Sequence, residues 1–360
     1  MLYLSPHIPE GALLMQNHYT INIHAGQVSL HFGADPNGTA AEIDSAATAL
    51  ISQLLRNDFE PRKRHNMHLA DAYSYSGMTN GTDKAVRLAT CARWLEFALP
   101  PEAEDKRYKV TKTTSCHVRL CPVCQWRRSL NTFRNLATVY AAPALQGYKH
   151  IFVTLTQRNV MPEDLAPEIK RINDAYAAMM RRKPFKNIVK GACRTIEVTR
   201  NTDPKSKDYG TYHPHIHAIW SVPASYGHKE YISQATLTQE WRKALGENYK
   251  PRVDMRMIKG NRPDGKAIAE VAKYSVKPGD YISDRIETTA EIIKILDPAL
   301  DGKRFVSYSG VVRQVKQDIF QSAYLEDVET ETVSEAELEG WERVLYEWHF
   351  SEQKYIKITV

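Results

Sequence analysis

The stretch His213-Pro-His-Ile-His-Ala-Ile-Trp-Ser-Val222 places two histidines two positions apart, ahead of an apolar run. Side chains two residues apart in a β-strand point to the same face of the sheet, so His215 and His217 can bind one metal ion. A histidine in a strand is more often a structural core residue, and the pair alone leaves that alternative open. The apolar residues after His217 predict a central strand with a polar patch at one end.

A carboxylate can complete this histidine pair. Glu197 lies in the preceding predicted strand and is also flanked by apolar residues. Two imidazoles and one carboxylate with open coordination positions accept Mg²⁺ or Mn²⁺ in enzymes that act on phosphates. We therefore expect Glu197, His215 and His217 to form a divalent metal site.

Strand and helix patterns alternate around the histidine strand. Residues typical of β-structure predict strands at 150–156, 193–199, 215–222 and 252–258. Apolar residues at helical spacing predict helices at 39–55, 126–140, 167–182, 233–245 and 266–276. Ser233 is a suitable N-cap, and Pro278 with Gly279 is expected to stop the last helix. Strands joined by both tight turns and helices favour an α+β fold with a central antiparallel β-sheet flanked by helices.

The predicted helix at 266–276 carries a second set of reactive side chains. A separation of four residues places Glu270 and Tyr274 on one helix face, and Lys277 follows three residues later. The Tyr274 oxygen can attack a phosphodiester if its proton leaves and a cation stabilises the phenolate, because the unperturbed pKa of tyrosine is about 10. Glu270 can act as a general base, and Lys277 or Lys273 can supply the cation. The alternative is a surface helix with a Glu270–Lys273 ion pair and a tyrosine packed at its rim.

Three of the five cysteines lie close together, at Cys116, Cys121 and Cys124. In a reducing compartment such a cluster is typical of a metal site, and an odd number of cysteines does not suit a disulfide framework. A closed tetrahedral zinc site needs a fourth ligand, for which Cys91 and His117 are the candidates. We expect a structural Zn²⁺ in this segment.

The charge distribution suits a polyanionic partner, but an ordinary solvated surface can have the same balance, so charge alone does not decide between them. The formal net charge is +6, while residues 326–347 hold nine acidic residues and one base, so that the rest of the chain carries +14. A basic protein suits DNA, because each neutralised phosphate releases counterions. Residues 106–128 contain seven basic and no acidic residues, and a zinc ion would hold them as a rigid surface. There we expect the DNA-contacting side chains Lys112, Arg119, Arg127 and Arg128.

The sequence also bears on location. No run of residues approaches the roughly 20 apolar positions that a bilayer crossing needs, and the first residues lack the pattern of a secretory signal. We therefore expect a cytoplasmic protein with no membrane partner, in agreement with the reducing compartment inferred from the cysteines.

Three segments together resemble the ordered motifs of rolling-circle plasmid replication initiators, the Rep proteins of the HUH endonuclease superfamily. They are Phe152-Val-Thr-Leu-Thr156, His213-Pro-His-Ile-His-Ala218 and Glu270-Val-Ala-Lys-Tyr-Ser-Val-Lys-Pro-Gly-Asp-Tyr281. The third is similar to that of the subgroup that keeps a glutamate four residues before a single catalytic tyrosine. The cysteine segment also resembles one in this subgroup, where a cysteine placed like Cys91 recurs. The resemblance covers roughly residues 85–320.

This resemblance implies a role for each matching residue. His215 and His217 would be metal ligands, Tyr274 the nucleophile and Glu270 the carboxylate that activates water at termination, and Lys277 matches the lysine after the tyrosine. The implied fold is an antiparallel sheet flanked by helices. The implied reaction nicks one strand of plasmid origin DNA, exposed as a single strand or hairpin. It leaves a 5′-phosphotyrosine link and a free 3′-OH primer.

The resemblance implies partners and leaves alternatives. We find no Gly-x-x-x-x-Gly-Lys phosphate loop, so unwinding would need a host helicase, and a host DNA polymerase would extend the primer. One alternative is an HUH transposase or relaxase, in which Tyr281 would act as a second nucleophile. Another is a non-enzymatic, zinc-stapled DNA-binding repressor.

These observations divide the chain into four parts. Residues 1–84 form an N-terminal segment with no assigned role, and residues 85–145 a zinc-binding basic module. Residues 146–320 form a nickase domain of the HUH type, and residues 321–360 an acidic C-terminal tail.

Overall fold

The structure, a computed structural model, describes residues 19–24, 27–32, 55–99, 109–228, 230–259, 263, 265–273, 275–320, 336 and 338–358. The described residues of Ser129–Ser283 and Glu291–Glu326 form one compact unit, here called the five-stranded unit. Those of His7–Arg128, Asp284–Ala290 and Asp327–Val360 form the other, the four-stranded unit. The antiparallel sheets and their flanking helices confirm the predicted α+β class.

The regular elements are numbered here in chain order. The strands are β1 (Tyr19–His24), β2 (Gln27–Phe32), β3 (Trp94–Leu99), β4 (Lys109–Thr113), β5 (Tyr148–Leu155), β6 (Gly191–Arg200), β7 (Tyr212–Pro223), β8 (Val253–Met257), β9 (Val306–Ser309), β10 (Glu342–His349) and β11 (Lys354–Ile358). The helices are α1 (Glu60–Tyr75), α2 (Gly81–Thr90), α3 (Pro122–Ala141), α4 (Leu165–Arg181), α5 (Phe185–Ile188), α6 (Gln234–Leu245), α7 (Gly265–Val271), α8 (Pro278–Tyr281), α9 (Ile286–Leu300) and α10 (Gly310–Phe320). None of these described helices has the length and apolar content that a membrane crossing requires.

The sheet of the five-stranded unit has the order β8-β5-β7-β6-β9, and every neighbouring pair is antiparallel. The four strands predicted from the sequence correspond to β5 through β8. The histidine strand β7 lies at the centre, as its apolar run predicts. Its Trp220 is fully buried and donates a hydrogen bond from Nε1 to the Tyr176 hydroxyl of α4 at 2.9 Å. The ring of Phe185 meets Trp220 edge to face at 5.8 Å, so this sheet face is packed with aromatic side chains.

Most helices agree with the sequence patterns. Ser233 caps α6 as predicted, because its Oγ accepts a hydrogen bond from the backbone N–H of Thr236 at 3.0 Å. The predicted helix at 39–55 lies outside the described residues except for Leu55, which begins a π-helical turn before α1.

The predicted helix at 266–276 is wrong at its C-terminal end. Helix α7 ends at Val271, and the chain then bends toward β6, where the carbonyl of Ser275 accepts a hydrogen bond from the backbone N–H of Val198 at 2.8 Å. This bond to a neighbouring strand replaces the helical bonds that local propensity favours. Pro278 does not stop a helix but begins the single turn α8, a position in which its missing N–H costs nothing.

The sheet of the four-stranded unit has the order β11-β10-β3-β4, so the segment predicted as an acidic tail supplies two strands. Charged residues hold β10 against β3. Arg343 pairs with Glu96 at 2.5 Å, and Arg93 pairs with Glu347 at 3.0 Å. One residue of each ion pair therefore comes from the segment that the sequence analysis described as an acidic C-terminal tail. Residues 321–335 and 337 lie outside the described residues.

The compact units divide the chain at positions that differ from the functional boundaries drawn from the sequence. The four-stranded unit contains α1, α2 and the cysteine segment together with β10 and β11. The boundaries at 85, 146 and 321 therefore stay predictions about function, while the structural units combine segments distant in the chain.

We expect Trp348→Ala to destabilise the protein by about 3–5 kcal/mol, because Trp348 on β10 is 1% exposed and its loss leaves a cavity. Its ring packs against Tyr355 at 5.1 Å. Urea denaturation followed by far-UV circular dichroism measures the change. Phe350→Ala is the control, since Phe350 is 42% exposed and its replacement should cost about 0.5 kcal/mol or less. Equal losses in the two variants would contradict the placement of β10 in the core.

Candidate functional site

Three potential metal ligands meet on one face of the five-stranded sheet. Glu197 on β6 pairs directly with His215 on β7, and Thr195 pairs with His217, so the three side chains project from neighbouring positions. One ligand atom from each of Glu197, His215 and His217 lies within 4.8 Å of the others. All three side chains are largely buried, and the strand pairing therefore preorganises the group that the sequence predicted.

The hydrogen bonds of the two imidazoles direct one nitrogen of each ring toward the carboxylate. Nδ1 of His215 donates to the backbone carbonyl of His213 at 3.1 Å, and Nδ1 of His217 lies 3.2 Å from the hydroxyl of Thr154. Both Nε2 atoms lie 3.2 Å from Oε2 of Glu197. With its proton on Nδ1, the Nε2 lone pair of His215 faces a carboxylate oxygen, and two acceptors at this distance require a proton or a cation between them. The group therefore fits a bound divalent cation.

The electrostatics of the group centre on Glu197. Burial would raise the pKa of Glu197, but the contacts of its carboxylate with the His215 and His217 imidazoles and the charge of Lys277 hold that pKa well below its usual range. The ammonium of Lys277 lies 3.1 Å from Oε1 of Glu197. Burial alone would lower the pKa of Lys277, but the carboxylate of Glu197 raises that pKa above its usual value. Glu197 is therefore ionised and faces three nitrogen-bearing groups.

The chain on either side of position 274 is held against this group. Tyr274 itself lies outside the described residues. Ser275, the next residue, is bonded through its carbonyl to Val198, the neighbour of Glu197. Lys277 contacts Glu197 directly. Tyr274 therefore lies in sequence between α7, which packs against β6 and β7, and two residues that contact β6.

Glu270 does not contact the metal ligands through any described hydrogen bond or ion pair. Its carboxylate pairs with Lys273 one turn later, and both side chains are partly exposed. This is the ion pair that the sequence left open as the alternative reading of the helix. Helix α7 ends at Val271, so the described part of the predicted helix stops before Tyr274, which itself lies outside the described residues.

Tyr281 is fully buried in α8, so its side chain belongs to the core of the five-stranded unit. The sequence named Tyr281 as a second nucleophile in the transposase or relaxase alternative. Burial in the core does not suit a hydroxyl that must reach a DNA phosphate.

Three further residues at the site were not singled out by the sequence. Thr154 positions His217, and Phe152 stacks on the His217 ring at 5.8 Å with an angle of 24°. Both lie in the strand motif that carries the resemblance, but their contact with His217 depends on the pairing of β5 with β7. Burial raises the pKa of Asp280 to about 6, although the backbone N–H of Arg200 donates to its carboxylate.

Four cysteines form a second potential metal group, in the four-stranded unit. Cys91, Cys116, Cys121 and Cys124 are all buried, with sulfurs within 4.8 Å of one another. Three sulfur–sulfur distances are 3.5, 3.6 and 3.7 Å. A tetrahedral zinc ion with Zn–S bonds of about 2.3 Å places its sulfurs about 3.8 Å apart, so the arrangement fits such an ion.

The ligands of the cluster lie at the ends of two helices. Cys91 is the C-cap that follows α2, while Cys121 directly precedes α3 and Cys124 lies in its first turn. The backbone N–H of Cys124 donates to the sulfur of Cys121 at 3.3 Å. Hydrogen bonds from Cys116, Cys121 and Cys91 hold the pKa of the Cys124 thiol well below its usual range. Of the two candidates for the fourth ligand, Cys91 joins the group, whereas His117 does not.

The four predicted DNA-contacting residues occupy different environments in the four-stranded unit. Lys112 on β4 is exposed, while Arg119, Arg127 and Arg128 are half-buried. Arg127 donates to the Ser115 hydroxyl at 2.8 Å, and burial lowers the pKa of Arg127. Part of the Arg127 side chain is therefore engaged inside the unit. DNA contact by these residues stays a prediction.

Comparison with known proteins gives one consistent result. A family described as "Replication protein" matches residues 107–356. A "Protein rep" from Bacillus amyloliquefaciens is 32% identical over 286 residues, which cover 73% of this chain and 82% of the relative. Another from a Bacillus species is 34% identical over 254 residues (66% and 80%), and one from Lactiplantibacillus plantarum is 33% identical over 265 residues (69% and 81%). No solved structure matches the chain.

We expect Thr154→Val to weaken Mn²⁺ binding by about 10- to 100-fold, because the variant keeps the shape of the side chain but removes the hydroxyl beside Nδ1 of His217. Titration calorimetry or the electron paramagnetic resonance of free Mn²⁺ measures the affinity. Thr156→Val is the matched control, since the Thr156 hydroxyl donates to the Arg252 carbonyl and contacts no ligand. If both variants bind Mn²⁺ like the parent, Thr154 does not position His217.

Proposed function

The chain belongs to the replication protein family, and from this premise we propose that it is a plasmid rolling-circle replication initiator that nicks one strand of its origin. The observation that carries the proposal is the ion pair of Lys277 with Glu197, together with the hydrogen bond from the backbone N–H of Val198 to the Ser275 carbonyl. Tyr274 directly precedes Ser275 in the sequence, and we assign the nucleophile to it because its motif resembles the third motif of the Rep proteins.

The metal group supports phosphodiester chemistry. A Mg²⁺ or Mn²⁺ ion bound by Glu197, His215 and His217 would polarise the scissile phosphate and orient it for in-line attack. Thr154 and the His213 carbonyl contact the Nδ1 atoms of His217 and His215, and these contacts fix the orientation of both imidazoles.

In the proposed cleavage step the phenolic oxygen of Tyr274 attacks the phosphorus. A bond forms between that oxygen and phosphorus, and the bond from phosphorus to the 3′ oxygen breaks. The phenol proton passes to a base, and the departing 3′ oxygen takes up a proton to become the 3′-OH that primes a polymerase. Lys277 stabilises the negative charge that develops on the phenol, for which its position beside Glu197 is suitable.

In the proposed termination step Glu270 activates a water molecule that attacks the phosphotyrosine phosphorus and releases Tyr274. The new 3′-OH of a finished strand can attack in place of water and rejoin the DNA. Release of Glu270 from Lys273 would free its carboxylate for this step. Transesterification conserves the energy of the phosphodiester bond, so cleavage itself requires no ATP.

The four-stranded unit would serve DNA binding in this proposal. A structural Zn²⁺ at the four cysteines would hold the basic segment 106–128 in place. Lys112, Arg119, Arg127 and Arg128 would contact phosphates of the origin. Unwinding by a host helicase and extension by a host DNA polymerase would follow the nick.

The decisive experiment uses Tyr274→Phe with single-stranded DNA of the cognate origin and Mn²⁺. We expect complete loss of the covalent protein–DNA adduct, since phenylalanine keeps the ring but lacks the attacking oxygen. Denaturing gel electrophoresis detects the adduct. Tyr281→Phe is the matched control and should form it, because Tyr281 is buried in the core.

Two outcomes contradict the proposal. An adduct that survives in Tyr274→Phe but not in Tyr281→Phe would favour the transposase or relaxase alternative. Duplex binding without any adduct from the parent protein would favour the repressor.

We expect the purified protein to contain about one zinc ion per chain, bound by the four-cysteine group. Cys116→Ser should lose it, because three sulfurs cannot close the tetrahedral site. Cys193→Ser should retain it, since Cys193 lies in β6 and is absent from the group. Elemental analysis after dialysis measures the content. Zinc retained equally by both variants would show that it is bound elsewhere.

A further inference from the structure

Helix α1 places a fully buried lysine beside the cysteine group. The side chain of Lys63 is 0% exposed, and its ammonium donates to the backbone carbonyls of Ala89 and Cys91, each at 2.6 Å. Among the residues that the structure describes, no carboxylate forms an ion pair with it. Two neutral carbonyls do not balance the desolvation of a buried ammonium, which favours a nearby anion.

One turn later, the same helix presents a buried amide to the same group. Asn66 is 0% exposed, and its Oδ1 lies 3.2 Å from the sulfur of Cys121. Its Nδ2 is buried and has no hydrogen-bond partner within the described part of the chain. A buried amide N–H without an acceptor costs about 1–3 kcal/mol, so this arrangement is incomplete.

Deprotonation of the cysteines gives both residues an anionic partner. A thiol at Cys121 can donate to Oδ1 of Asn66, but a thiolate can only accept. A half-turn of the amide then brings Nδ2 to the position now held by Oδ1, at hydrogen-bonding distance from the sulfur. At the same time the thiolates supply the anion that Lys63 lacks.

The charge count supports this reading. One Zn²⁺ and four thiolates carry a net charge of −2, which is costly in a buried site without cations nearby. Lys63 contacts the carbonyl of the ligand residue Cys91, and Arg127 interacts electrostatically with Cys124, Cys91 and Cys121. Together with Arg87, which donates to the carbonyl of the ligand residue Cys116, these cations oppose the negative charge of the centre.

We propose that Lys63 and Asn66 are positioning residues of the zinc centre, Lys63 balancing its charge and Asn66 donating a hydrogen bond to the Cys121 thiolate. The inference rests on the structural zinc of the proposed function. It gives α1, which lies in the N-terminal segment without an assigned role, a function in metal retention. Residues three apart on a helix share a face, so one helix can supply both contacts.

The test compares zinc release from the full-length parent, Lys63→Met and Asn66→Asp. We expect each variant to release zinc to a chromogenic chelator about 10- to 100-fold faster, the usual cost of losing a group that supports a metal ligand. Asn66→Asp keeps the shape of the side chain but places a carboxylate against the thiolate. Arg64→Met is the control, since Arg64 follows Lys63 on the same helix but is exposed, pairs with Glu60 and donates to the Gln353 carbonyl.

A second measurement separates positioning from simple packing. In Co²⁺-substituted protein, loss of a hydrogen bond to sulfur should shift the sulfur-to-cobalt charge-transfer band to lower energy in Asn66→Asp and leave it unchanged in Arg64→Met. Asn66→Asp should lower the melting temperature of the zinc-bound protein more than that of the metal-free protein. This comparison remains informative if Lys63→Met does not fold, because Asn66→Asp carries the test alone.

The outcomes distinguish this inference from its premise. If the parent holds zinc while Asn66→Asp and Lys63→Met release it at the parent rate with an unshifted cobalt band, the inference is overturned and the zinc centre stands. Equal losses of melting temperature with and without metal, at unchanged release rates, overturn it as well. If the parent protein binds no zinc, both the inference and the zinc centre are overturned. Adduct formation by Tyr274 is measured separately, so the proposed nicking reaction is tested independently of zinc.

Discussion

The antiparallel pairing of β6 with β7 determines where the ligands of the metal group lie. It sets Glu197 opposite His215 and fixes His217 one pleat further along. Because side chains alternate between faces, a slip of one residue would turn both histidines to the face that packs against α4. Trp220, whose ring is anchored by Tyr176 on that opposite face, makes such a slip costly. The packing of Trp220 on one face of the sheet therefore fixes which side chains lie on the opposite face, where Glu197, His215 and His217 meet.

Nitrogen-bearing groups outnumber carboxylates around Glu197. One buried carboxylate faces two imidazoles and the ammonium of Lys277. With a divalent cation bound, positive charge would exceed negative charge, and an anionic phosphodiester would restore the balance. This excess would attract a backbone phosphate before any base is recognised, as the proposed nicking reaction requires.

Local sequence patterns predicted the parts of the structure that depend on local chemistry. The strands around His215 and the start of α6 follow from side-chain periodicity and capping. The cysteine spacing predicted that Cys116, Cys121 and Cys124 meet, but it left the fourth ligand open between Cys91 and His117. The end of α7 could not be predicted, because the hydrogen bond from the backbone N–H of Val198 to the Ser275 carbonyl joins segments far apart in the chain. The contact of Thr154 with His217 likewise requires the register of β5 and β7. Composition misrepresented β10, since its acidic residues obscured an alternating pattern with Trp348 on the buried side.

The place of β10 in the second sheet has a consequence for biosynthesis. Strand β3 is made early, but its neighbour β10 follows about 240 residues later. At roughly 5–20 residues per second, the ribosome would need on the order of 10 to 50 seconds to supply it. During that interval one edge of β3 offers free backbone groups to other chains. A prematurely terminated product would keep that edge open, so incomplete chains of this protein should be prone to aggregation and rapid degradation.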